Sequence, residues 1–126
     1  MVVLMPQATL QGGLFLIVAL LTASVRPAAL AQATPQVIEI DAERFAFSPS
    51  EVRVKAETPV EIRLRSDDTN HGFRILGTEI NVTIPKRGKG QTTVMFTPPK
   101  SGKYVFECSK VCGAGHAFMR GTLIAE

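Results

Sequence analysis

Beyond its first 31 residues this chain has no hydrophobic run long enough to cross a bilayer, which excludes a polytopic membrane protein. The same region lacks the 3.6-residue apolar period of an amphipathic helix and shows no internal repeat, which argues against helical bundles and repeat arrays. Charge of one sign is not in large excess. Fourteen basic against 11 acidic side chains is too mild a balance to argue for a nucleic-acid partner. Phosphate-cradling glycine loops, paired carboxylates and nucleophile–base pairs are missing too, so hydrolytic chemistry has little to work with. Cysteine and histidine number two each. What those four residues do is the main question the sequence poses.

The amino-terminal segment has its own grammar. Gly12 to Val25 carries no charge and contains Leu14-Phe15-Leu16-Ile17-Val18-Ala19-Leu20-Leu21. Ala29-Leu30-Ala31 supplies a small-x-small site before Gln32, as in a secretory signal peptide cleaved after Ala31. No Lys or Arg precedes the apolar run. The run is about 14 residues, shorter than the roughly 20 a span needs, so an uncleaved short anchor is the alternative. Either way the domain lies outside the cytoplasm, in the periplasm or an equivalent compartment. Residues 1–31 are thus read as leader, 32–36 as a polar linker and 37–126 as one domain. A domain of about 95 residues buries a real but marginal core, which a bound metal would reinforce.

Within the domain, short runs alternate apolar with polar residues. Val60-Glu61-Ile62-Arg63-Leu64-Arg65 and Ile80-Asn81-Val82-Thr83-Ile84 have the period of half-buried strands. Val37 to Ile40, Glu51 to Lys55, Thr92 to Phe96, Tyr104 to Glu107 and Gly121 to Ala125 are further strand candidates. Between them, Ser48-Pro49-Ser50, Glu57-Thr58-Pro59, Lys86-Arg87-Gly88-Lys89-Gly90 and Pro98-Pro99-Lys100-Ser101-Gly102 are turns by composition. Seven or eight short strands at this spacing predict an all-β Greek-key sandwich. Phe45, Phe47, Phe73, Phe96, Phe106 and Phe118 are expected to fill its core. From Arg74 onward there are eight basic residues against three acidic, so this half is expected to be basic.

Both cysteines, one histidine and a methionine fall in Cys108-Ser109-Lys110-Val111-Cys112-Gly113-Ala114-Gly115-His116-Ala117-Phe118-Met119. The other histidine lies in Asp67-Asp68-Thr69-Asn70-His71-Gly72-Phe73. Two thiolates, two imidazoles and a thioether have the softness that suits copper. Cys108 should follow directly on a strand and Met119 precede the last one, with Gly113 and Gly115 letting the loop fold back. A mononuclear blue-copper site needs one thiolate, two imidazoles and a weak axial thioether, which Cys112, His116, His71 and Met119 satisfy. Cys108 is surplus to that recipe. Two thiolates four residues apart can instead bridge two copper ions, each taking one histidine. Asp67 and Asp68 are candidates to hold the unbound nitrogen of a histidine.

The loop resembles the C-x3-C-x3-H-x2-M pattern of the CuA domain in subunit II of the haem-copper oxidases. Asp68-Thr69-Asn70-His71-Gly72-Phe73 resembles the family's D-x-x-H-x-F segment, and the likeness runs from about Val37 to Ala125. The resemblance implies a cupredoxin fold and a two-copper centre. Its metal ligands would be His71, Cys108, the main-chain carbonyl of Lys110, Cys112, His116 and Met119. It also implies electron transfer from a donor such as cytochrome c towards an oxidase catalytic subunit. Any oxidase activity would then belong to a complex and not to this chain alone. Two departures stand out. Lys110 replaces a residue that is often acidic in the family, which puts the family's neighbouring magnesium site in doubt. The absence of tryptophan removes the aromatic through which many members are thought to receive electrons.

Other readings stay open on the sequence: a periplasmic copper-delivery protein, a mononuclear blue-copper carrier with Cys108 a bystander, or a metal-free module stapled by a Cys108–Cys112 cystine.

Overall fold

A computed structural model describes residues 33–126. The leader expected at 1–31 lies outside the described residues. Among the described residues nine strands follow one another: β1 (Gln36–Glu43), β2 (Ala46–Ser48), β3 (Glu51–Val54), β4 (Val60–Ser66), β5 (His71–Ile75), β6 (Asn81–Ile84), β7 (Thr92–Phe96), β8 (Gly102–Glu107) and β9 (Arg120–Ala125). A single 3-10 turn, His116–Phe118, interrupts the connection from β8 to β9. Among the described residues no helix is long and apolar enough to cross a membrane.

The alternating pattern that marked β4 is the pattern it buries. Val60, Ile62, Leu64 and Ser66 face inward, while Glu61, Arg63 and Arg65 stay more accessible. Strands with this period form two sheets, ordered β2-β1-β4-β7 and β3-β9-β8-β5-β6. Both are mixed. β1 runs parallel to β4 with Ile40 opposite Leu64, and β3 runs parallel to β9 with Val52 opposite Leu123. The result is an all-β sandwich with Ile40, Ile62, Leu64, Phe73, Ile75, Ile84, Phe106 and Leu123 in its core.

Two strands were not marked by the sequence pattern. β2 has only three residues, too few for a period. β5 reads buried at His71, Gly72 and Phe73 in succession, because its first residues are covered from both sides, so no alternation shows. The aromatic expectation needs correcting at two positions. Phe47, Phe73, Phe96 and Phe106 are buried, but Phe45 is 38% exposed and packs on the loop between β8 and β9, and Phe118, within that loop, is 83% exposed; neither belongs to the core. Phe73 and Phe106 stack at 5.2 Å, and the Phe47 ring meets them edge-on at 5.9 and 5.3 Å. This cluster ties β2 to β5 and β8.

Sheet register sets the site's location. β5 and β8 are antiparallel, with Arg74 opposite Glu107, and β8 and β9 are antiparallel, with Glu107 opposite Arg120. The start of β5, the end of β8 and the start of β9 therefore meet at one pole of the sandwich.

Candidate metal centre

His71 opens β5 and is fully buried. Cys108 follows the last residue of β8, and its backbone N–H donates to the Met119 carbonyl at 3.0 Å, closing the base of the loop. Within this frame the ligand atoms of His71, Cys108 and Cys112 lie within 4.8 Å of one another. The Cys108 sulfur is 3.9 Å from His71 Nδ1 and 3.8 Å from the Cys112 sulfur. The Cys112 sulfur is in turn 3.8 Å from His116 Nδ1 and 3.9 Å from Met119 Sδ. The Lys110 carbonyl oxygen stands 3.1 Å from the Cys108 sulfur, while the Lys110 side chain faces solvent. All six candidate ligands thus gather around one sulfur pair.

Both cysteines are free thiols, and their sulfurs are far beyond the roughly 2.05 Å of a disulfide. Cys108, Cys112 and Met119 are buried, whereas His116 is half-buried at the start of the 3-10 turn. Burial, followed by the hydrogen bond and charge of Cys108 and the charge of Asp68, pushes the Cys112 thiol up to about 11. A soft cation is what would relieve this crowding, since it binds the thiolates and takes the place of their protons. The donor set of two sulfurs, two imidazoles, a thioether and a carbonyl fits copper.

Of the two aspartates considered for orienting a histidine, Asp68 does so. Its Oδ1 lies 2.6 Å from His71 Nε2, which turns Nδ1 towards the sulfurs. Asp67 is exposed and contributes only a backbone N–H, to the Ala42 carbonyl at 3.0 Å. Burial alone would raise the Asp68 carboxyl. Hydrogen bonds from His71 and from the backbones of Arg44 and Thr69, with the charge of His71, outweigh it and hold the group down at about 2.

Several contributors carried no local sequence signal. Arg44, between β1 and β2, donates from its backbone N–H to Asp68 Oδ2 at 3.0 Å and from Nε to the Cys112 carbonyl at 2.8 Å. The Phe45 ring packs on the loop so closely that a Cβ would come within 2.9 Å of it at Gly113 and 2.4 Å at Gly115. Gly113 does have the left-handed backbone expected of a fold-back, φ 143°. Gly115 does not, with φ −88°, and its lack of a side chain serves the Phe45 ring instead. Gly72 donates its N–H to the Cys108 sulfur at 3.4 Å, and a Cβ there would sit 2.6 Å from the Lys110 nitrogen. Beside His116, a pocket of about 200 Å³ is lined by Cys108, Met119 and the ion-paired Arg74, Glu107 and Arg120. The basic turn after β6 also belongs to this pole. Lys86 N–H donates to Asn70 Oδ1 at 2.8 Å and Arg87 N–H to the Asp68 carbonyl at 3.1 Å.

Comparison with known proteins gives a consistent result. Residues 13–125 match the family described as cupredoxin-like domain. Cytochrome c oxidase subunit 2 of Thermus thermophilus is 32% identical over 83 residues, covering 65% of this chain and 59% of that protein. The chain therefore spans less than two thirds of that relative's length. A chain of a heme-copper terminal oxidase dimer superposes with a TM-score of 0.60 at 25% identity, over 79% of this chain and 76% of the other. The blue copper protein auracyanin A of Chloroflexus aurantiacus superposes with a TM-score of 0.60 at 20% identity, over 74% of this chain and all of the other, a likeness of fold.

Proposed function

The chain belongs to the cupredoxin-like domain family, and from that premise we propose that it is an exported electron-transfer protein with a binuclear copper centre of the CuA type. In this reading it is a subunit II–like component that receives electrons from cytochrome c or a similar donor and passes them to a terminal oxidase. The relatives at 32% identity are oxidase subunits, which supports an oxidase complex as the setting. The fold alone does not decide the number of metals, because a blue copper protein shares it equally well.

The observation that carries the binuclear reading is the pairing of sulfur with nitrogen. Cys108 sits beside His71 and Cys112 beside His116, at 3.9 and 3.8 Å, with the two sulfurs 3.8 Å apart. A one-thiolate site would put both imidazoles around the same sulfur. Here each thiolate has its own. His71 and Cys108 would hold one copper and His116 and Cys112 the other, with the Lys110 carbonyl and the Met119 sulfur as the remaining donors. Copper bound in this way supplies a one-electron couple whose charge is shared over both metals.

The protein's part is position and exclusion of water. Asp68 fixes the His71 ring, the Cys108–Met119 backbone bond closes the loop, and the aromatic cluster holds β5 and β8 behind it. Ligands held this firmly change position little when the centre changes charge. His116 is half-buried, the most accessible of the candidate side-chain ligands, and shares its loop with the exposed Val111 and Phe118, which makes it the natural side for electron entry in a chain without tryptophan. The leader read at 1–31 sends this domain outside the cytoplasm.

Copper stoichiometry and electron spin resonance on the copper-loaded chain test the reading. Two coppers per chain, with hyperfine structure from one electron shared over both nuclei, support it. One copper with a single-nucleus pattern, surviving Cys108→Ser, would replace it with a blue-copper carrier. Copper lost readily to chelators, with no reversible couple, would indicate delivery.

A further inference from the structure

Arg44 lies far in sequence from every ligand, yet it touches both arms of the site. Its Nε donates to the Cys112 carbonyl at 2.8 Å, on the loop after β8. Its backbone N–H donates at 3.0 Å to Asp68 Oδ2, whose partner oxygen is 2.6 Å from His71 Nε2. Its guanidinium also stands 3.9 Å from Asp68 Oδ2. A connected path therefore runs from His71 through Asp68 and Arg44 to Cys112. It closes into a ring through the ligand atoms, Cys112 Sγ to Cys108 Sγ to His71 Nδ1, at 3.8 and 3.9 Å. The neighbouring Phe45 presses on Gly113 and Gly115, so the β1–β2 hairpin grips the loop at three positions, Cys112, Gly113 and Gly115.

We propose that Arg44 is a positioning residue of the metal centre, clamping the His71 arm to the Cys112 arm and raising the centre's reduction potential. The clamp follows from geometry: His71 is carried by β5 and Cys112 by the loop after β8, and Arg44 donates to both arms, from its backbone N–H to Asp68 and from Nε to the Cys112 carbonyl. The effect on potential follows from charge. The guanidinium opposes the Asp68 carboxylate beside His71. Without it that carboxylate is uncompensated, which favours the more positive, oxidised centre and lowers the potential. Half of the side chain is exposed, so little of the core depends on it.

The inference rests on the copper reading but not on the copper number, because His71 and Cys112 belong to both the one- and two-metal versions of the site. Full-length wild type, Arg44→Gln and Arg44→Lys would be compared for copper affinity by chelator competition, for reduction potential by voltammetry and for copper per chain. Arg44→Gln is expected to bind copper about tenfold more weakly, the lower end for loss of an outer partner, and to show a lower potential. Arg44→Lys keeps the charge but not the planar fork that reaches the carbonyl, so it should lose affinity while largely keeping the potential. Apoprotein melting within a few degrees of wild type would show that the fold is intact.

Unchanged affinity and potential in both variants would overturn the clamp, and so would a lowered melting point with neither of those quantities moved. One copper per wild-type chain with the Arg44 effects present would sink the binuclear reading alone. Two coppers without those effects would sink the clamp alone. A wild type that binds no copper would sink both.

Discussion

Replacing Asp68 by Asn removes a carboxylate while keeping its shape, and the structure says what is lost. One carboxylate oxygen faces His71 Nε2 at 2.6 Å and the other accepts the Arg44 N–H at 3.0 Å. An amide has one acceptor oxygen, so whichever way it turns, its NH2 opposes one of these donors. The native carboxyl is held down from 3.8 to about 2. At 1.36 kcal/mol per unit this amounts to about 2 kcal/mol, and with the side chain a quarter exposed about 1–2 kcal/mol is expected in practice. A carboxyl depressed in the folded state contributes stability that is fully present above its unfolded value and lost as pH falls through its folded one. Urea denaturation of the apoprotein should therefore show Asp68→Asn less stable by about 1–2 kcal/mol near neutral pH. The gap should shrink as pH falls from about 4 towards about 2. Copper affinity should fall about 10–100-fold, as when a ligating histidine loses its partner. A gap below about 0.3 kcal/mol, or one that does not change with pH, would refute the assignment of Asp68 as the residue that holds His71.

Three further outcomes follow from the same geometry. Phe106→Ala, in the centre of the aromatic cluster, should cost about 3–5 kcal/mol and lower the thermal midpoint by well over ten degrees; a loss below about 1 kcal/mol would mean that the cluster does not brace the site. Gly72→Ala places a Cβ 2.6 Å from the Lys110 nitrogen, so it should displace the Cys108–Lys110 segment and weaken copper binding more than it lowers apoprotein stability; equal copper affinity in a titration would contradict the close approach. Because burial and Cys108 push the Cys112 thiol up to about 11, metal must displace its proton throughout the neutral range. Copper affinity should therefore rise about tenfold per pH unit for each thiol proton displaced, and a flat profile through neutral and mildly alkaline pH would count against thiolate ligation.

How much of this was legible in advance depends on where each signal lies along the chain. Cys108, Lys110, Cys112, His116 and Met119 lie within twelve residues, so their spacing is itself information about a shared point in space. Strands buried on one face, such as β4, announce themselves by period two. β5 did not, because His71, Gly72 and Phe73 are buried in succession, Gly72 beneath the loop after β8 and Phe73 in the core. Phe45 and Phe118 looked like core residues because composition ranks aromatics as core. Burial, however, is a property of position: one packs on loop glycines and the other faces solvent.

What the sequence by itself determined is local: which candidate donors lie together, in what order, and a scaffold of short strands. Pairwise geometry was settled only by tertiary structure. It chose Asp68 over Asp67 as the partner of His71, gave each sulfur its own imidazole, brought the turn after β6 to the site and laid Arg44 across both arms. The physical reason is that covalent spacing constrains only neighbours along the chain. Contacts such as Arg44 with Cys112, 68 residues apart, exist because sheet register brings distant strand ends to one pole, and no local pattern encodes that register.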